Sequence, residues 1–116
     1  MPKIALFIIA LIVIIVTVAL TLIFNDNLQK QAPRSQIDTA TAQAKFLYRQ
    51  RREEGQDFTK GSCLSNALMP DWVADIAHNP RLPVDDLPEN QCPAYLEGRA
   101  DHFVELDPEG NLILAR

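Results

Sequence analysis

Glycine is scarce in this chain, four residues in 116, and their spacing forms no phosphate-cradling loop. That excludes a nucleotide-binding fold of the usual kind, and the length alone excludes a large enzyme with its own deep pocket or a repeat array. Histidine is scarcer still: His78 and His102 lack the paired spacing of a metal-binding finger, and there is no H-E-x-x-H or G-x-S-x-G sequence. Only two cysteines occur, Cys63 and Cys92, and they are not a C-x-x-C pair. Basic residues are sparse in the C-terminal half, where residues 61–116 hold 3 Lys or Arg against 10 Asp or Glu. A phosphate-binding surface needs the opposite balance, so nucleic acid is not an expected partner.

What the chain has instead is one long apolar run. Residues 4–24, from Ile4 to Phe24, form 21 consecutive positions without a charge, Asn, Gln, Gly or Pro. As a helix this run spans about 31 Å, the thickness of a bilayer hydrocarbon core, so it is long enough to cross once. A cleaved signal peptide is the rival reading, because Lys3 gives a basic start and Thr17-Val18-Ala19 offers a small-x-small site. The apolar region of such a peptide is usually only about 7–15 residues, which favours an uncleaved anchor. Basic residues barely decide orientation, with Lys3 on one side and Lys30 and Arg34 on the other. The uncharged-to-acidic flank Asn25-Asp26-Asn27 favours placing the bulk of the chain outside.

The cysteines bear on the same question. Cys63 and Cys92 stand 29 residues apart, and a bridge between them would stabilise the fold by about 3.6 kcal/mol through loop closure. A domain of some 60 residues is near the size at which an apolar core alone is marginal, so a disulfide is expected, and with it an oxidising, extracytoplasmic compartment. Two buried free thiols in a cytosolic domain are the alternative.

The remainder divides by composition. Residues 25–34 read as a juxtamembrane linker after the 1–24 anchor, with Pro33 disfavouring helix at Ala32. Residues 35–55 read as an amphipathic helix. Ser35 and Asp38 resemble a capping box, Ile37, Ala40, Ala44, Leu47 and Tyr48 recur at helical spacing, and Gly55 fits the C-terminal cap. Its apolar stripe is expected to dock on its own domain rather than form a coiled coil. Residues 56–116 read as a small acidic α+β domain. Within it, a short helix is expected after Pro70 with Trp72, Val73 and Ile76 on one face. Four prolines, at 80, 83, 88 and 93, then mark an extended loop. Residues 102–106 and 111–114 flank Asp107-Pro108-Glu109-Gly110 as a β-hairpin, and Tyr95 begins a further strand or turn.

The fold expected is therefore α+β: a transmembrane helix, an amphipathic helix and a small disulfide-clamped domain ending in a β-hairpin. This order of elements resembles type IV pilins and pseudopilins in outline. Such a resemblance implies a prepilin peptidase site, a Gly before the apolar run with Glu at its fifth position, whereas the first Gly here is Gly55 and the first Glu is Glu53.

Functionally, the expectation is a bitopic envelope protein whose acidic domain binds another envelope protein, with no enzyme activity, cofactor, metal or small-molecule ligand indicated. Pro80, Arg81, Pro83, Asp85 and Asp86 are the candidate partner-binding residues, the first three lying in a P-x-x-P pattern that polyproline readers dock. Asp85, Asp86, Glu89 and Asn90 offer oxygen ligands, but the D-x-D-x-D-G calcium loop is absent. A pilin-like subunit is the alternative. A tethered hydrolase using Asp75 with His78, or Asp101 with His102, is the third reading.

Overall fold

The computed structural model describes residues 2–29 and 31–116, which fall into two compact units, 1–31 and 32–116. Met1 lies outside the described residues, as does Lys30, whose charge enters the orientation argument. The first unit is one helix, α1 (Lys3–Gln29), long and apolar enough to span a membrane. Ile4, Phe24 and the large apolar side chains between them are exposed, so the apolar surface of this helix is left uncovered among the described residues. The helix runs on through Asn25–Gln29, which corrects the expected start of the linker, since Pro33 is the first residue able to stop it.

The second unit opens with α2 (Arg34–Glu53), one residue earlier than expected. Pro33 itself is the N-cap, and no side chain caps the first turn, so the Ser35 and Asp38 capping box does not form. At the other end Gly55 takes φ +90°, the left-handed conformation that closes a helix at little cost only for glycine. Ala40, Ala44 and Tyr48 are buried along one stripe of α2, and the two alanines bring the helix close to the sheet it covers.

That sheet has four strands in the order β1 (Cys63–Met69), β2 (Trp72–Ile76), β3 (His102–Leu106) and β4 (Leu112–Ala115). β1 with β2 and β3 with β4 are antiparallel, whereas β2 and β3 run parallel. A parallel pair needs a long crossover. Here it is residues 77–101, built from 3-10 turns at Pro83–Asp86 and Pro88–Asn90 and a single-turn helix, α3 (Pro93–Leu96), which carries Tyr95. α3 touches β1 and β2.

The expected helix around Trp72 is therefore a strand, and Pro70 belongs to the β1–β2 turn. Met69 pairs with Trp72, leaving Pro70 and Asp71 as the turn, with Asp71 at φ +71°. The misreading has a physical cause. β2 is a central strand covered on both faces, so Trp72, Val73, Ala74 and Ile76 are all buried and no alternation distinguishes it from a buried helix. Trp72, Ala74 and Ile76 pack with Val104, Leu106 and α2. Val73 packs on the other side with Cys92, Ala94 and Ala100.

The C-terminal hairpin forms as expected, with Gly110 at φ +90° in its turn. An Asp107 carboxylate oxygen accepts from the backbone N–H groups of Glu109 and Asn111, fixing that turn.

Candidate functional site

Cys63 and Cys92 are joined in a disulfide, with Cα atoms 4.9 Å apart. It ties the start of β1 to the residue before α3, and so holds the crossover against the sheet face opposite α2. The crossover covers only part of that face. Beside it lies a pocket of about 210 Å³ lined by Asp75, Arg81, Gln91, Tyr95, Phe103, Glu105 and neighbouring residues.

The parallel register builds the floor of this pocket. Val73 is paired with Phe103 and Asp75 with Glu105, so two apolar side chains and two carboxylates lie side by side on one face. Arg81 leans over from the crossover. Its guanidinium donates to Glu105 Oε2 at 3.2 Å, to Asp86 Oδ1 at 2.8 Å and to the Asp85 carbonyl at 3.3 Å. Tyr95 meets Phe103 edge to face at 5.2 Å, and the Arg116 guanidinium lies 5.5 Å over the same ring.

Asp75 is the exception in this otherwise paired set. Its Oδ1 is buried and has no hydrogen-bond partner. Burial, followed by the charge of Glu105, pushes its carboxyl up to about 7, against the weaker opposing effects of the Ile76 N–H and Arg81. A group poised at neutral pH in a cleft is where binding or proton exchange is found in other proteins.

The sequence candidates fall differently. Asp85 is fully buried and accepts hydrogen bonds from the backbone N–H groups of His78 and Leu82, while its Oδ1 lies 2.9 Å from His78 Nδ1. Burial alone would raise its carboxyl, but these bonds hold it below the ordinary carboxylate value. Asp85 therefore shapes the crossover and is not presented to a partner. Pro80, Arg81, Pro83 and Asp86 are exposed, and Pro83 starts a 3-10 turn instead of continuing a polyproline segment. Of the five, Arg81 lines the pocket and Asp86 braces Arg81.

The two imagined acid–base pairs are replaced by others. His78 pairs with Asp85, and His102 stacks on Trp72 at 5.0 Å with its Nε2 3.5 Å from Asp71. The oxygen cluster also goes to structural use: besides Asp85, the Asn90 side-chain amide donates to the Val84 carbonyl at 2.8 Å. Among the described residues no group of three or more His, Cys, Asp or Glu is placed to hold a metal ion.

Sequence reasoning passed over Glu105, Phe103, Gln91 and Arg116 as site residues. A signal existed, since WVADI and HFVEL each carry an acid inside an apolar strand. Only the non-local parallel pairing sets the two acids side by side. Comparison of this chain with family models, with curated proteins and with solved structures returns no match.

Proposed function

We propose that this is a membrane-anchored envelope protein, with α1 in the bilayer and the disulfide-closed acidic domain outside the cytoplasm, where it binds a protein partner. The observation that carries the reading is the uncovered half of the sheet face opposite α2. Leu112 and Leu114 of β4 are exposed there, Leu114 is paired with Glu105, and exposed Tyr95 lies at the pocket beside them. Apolar side chains gathered around a polar pocket are the ordinary anatomy of a protein interface. The α1 apolar run exceeds that of a signal peptide, which supports a retained anchor. The disulfide supports an oxidising compartment.

Two measurements test this. A membrane-impermeant maleimide should label Cys63 and Cys92 in intact cells only after reduction, and labelling without reduction, or only after lysis, would overturn the compartment. A photoreactive benzoylphenylalanine at Leu114 should give one discrete cross-linked product that the same group at exposed Thr39 of α2 does not. Equal products at both positions, or none at Leu114, would remove the interface from this face.

A pilin-like subunit remains the second reading, and what favours it is an N-terminal apolar helix exposed all round its surface, able to pack with copies of itself. Mass spectrometry of the mature protein separates the two. Processing within α1 together with recovery in shed filaments would favour the subunit, and an unprocessed chain confined to membranes would favour the anchor.

A further inference from the structure

The pocket is nearly self-sufficient, and the one thing it lacks is specific. Arg81 is satisfied by Asp86, Glu105 and the Asp85 carbonyl, and Glu105 is satisfied by Arg81. Phe103 is covered by Tyr95 and Arg116. Asp75 Oδ1 alone is buried without a donor, and its neighbour across the strands is another carboxylate.

We propose that this pocket receives the ammonium group of a lysine side chain from the partner polypeptide, placed against Asp75 and Glu105 with its methylene stem along Phe103 and Tyr95. The proposal deepens the partner-binding reading above and rests on it.

Several features select this occupant. A water or hydroxyl would supply a hydrogen bond but leave the repulsion between Asp75 and Glu105, whereas a cation relieves both. Arg81 already spreads its guanidinium over Glu105, Asp86 and the Asp85 carbonyl, so the space left beside Asp75 suits a compact point charge better than a second planar guanidinium. A volume of about 210 Å³ is smaller than the usual pocket for a drug-sized molecule, roughly 300–1,000 Å³, and fits one side chain. Half-exposed Tyr95 at the pocket offers an apolar surface to the methylene stem. A free amine would leave Leu112 and Leu114 uncovered, while a polypeptide would bury them around the anchored lysine. Residues 61–116 carry a net charge of −7, which attracts a basic partner at long range.

The test uses the full chain in detergent micelles at pH 8 and three probes: the capped peptide acetyl-Ala-Leu-Lys-Leu-Ala-amide, its norleucine counterpart, and n-butylammonium. Binding is read from the backbone amide resonances of Asp75 and Glu105. The lysine peptide should bind at least tenfold more tightly than either other probe. Asp75→Asn should abolish that preference, with Glu105→Gln as the second variant should the first disturb the fold. Lowering the pH from 8 to 5 should weaken the preference as Asp75 takes up a proton in the field of Glu105, Arg81, Asp85 and Arg116. Equal binding of the lysine and norleucine peptides, no binding of any probe, or a preference that survives Asp75→Asn would overturn the proposal. Butylammonium binding as tightly as the peptide would make the pocket a small-amine site and overturn the polypeptide assignment. A cross-linked partner at Leu114 without lysine preference would leave the interface standing and remove only the lysine.

Discussion

The two faces of the sheet use the same strands to different ends. On the α2 side, Trp72, Ala74, Ile76, Val104 and Leu106 meet Ala40, Ala44 and Tyr48, and all eight are buried. Even the phenol of Tyr48 is satisfied there, donating to the Pro108 carbonyl at 2.7 Å and accepting from Arg52. On the opposite side the cover is a disulfide-tied crossover that stops short of β4, and a buried carboxylate oxygen is left without a donor. A side that only had to hold the fold together would have no use for such an atom, because a buried unpaired polar group costs about 1–3 kcal/mol. The difference separates a half of the domain that is packed and paired throughout from a half whose cover is partial.

The largest break in this comparison comes from the closed side. Trp72→Ala empties the centre of the core, and should lower stability by about 4 kcal/mol, enough to abolish the fold of so small a domain. Loss of slow amide exchange throughout β2 and β3 would register it. Next is the open side's only covalent support. Replacing Cys63 and Cys92 together by Ser should cost about 3.6 kcal/mol, read from denaturant unfolding followed by Trp72 fluorescence. If the pair proved neutral, the crossover would be held by its non-covalent contacts, Val73 with Ala94 and Ala100, Arg81 with Glu105 and Tyr95 with Phe103, and the two faces would differ less than described.

How far the sequence discloses these faces follows from how local each signal is. The two helices, the Gly55 stop and the 102–114 hairpin are written in patterns a few residues long, and each is present. The bridge followed from domain size and cysteine count, and it is present too. β2 was misread because burial on both faces erases the alternation by which a strand is recognised. The site was hidden for a deeper reason. Asp75 and Glu105 are thirty positions apart, and only the parallel register across residues 77–101 makes them neighbours. Asp85 stood out in sequence as an exposed acid beside prolines, yet three local hydrogen-bond contacts draw it inward.

Asp75 also gives the comparison a pH axis. Its carboxyl lies at about 7 in the fold against 3.8 for the ordinary group, so between these values the folded state binds the extra proton. Stability should therefore fall as pH rises from about 4 to about 7. Asp75→Asn removes that penalty, so at pH 8 the variant should be more stable than the parent by roughly 1–4 kcal/mol, and the two should converge below about pH 4. Unfolding curves at the two pH values decide it, and a variant equally destabilised at both would mean that Asp75 serves the fold.

The smallest effect sharpens the same contrast from the satisfied side. Tyr48→Phe keeps the ring against Phe58, 4.9 Å away, and removes only the hydroxyl. The Pro108 carbonyl then loses its donor, Arg52 loses an acceptor, and the β3–β4 turn loses its tie to α2. Such a bond is worth about 1 kcal/mol, so the unfolding midpoint should drop slightly, with little change between pH 5 and pH 8. Gly110 is constrained by the same ring. It sits at φ +90° with Tyr48 directly where a Cβ would project, so the turn can approach the helix only as glycine. Losing a hydroxyl should thus destabilise the domain on the α2 side, while losing a charge should stabilise it on the other. Losses on both sides would mean that the open face is as much a structural element as the closed one.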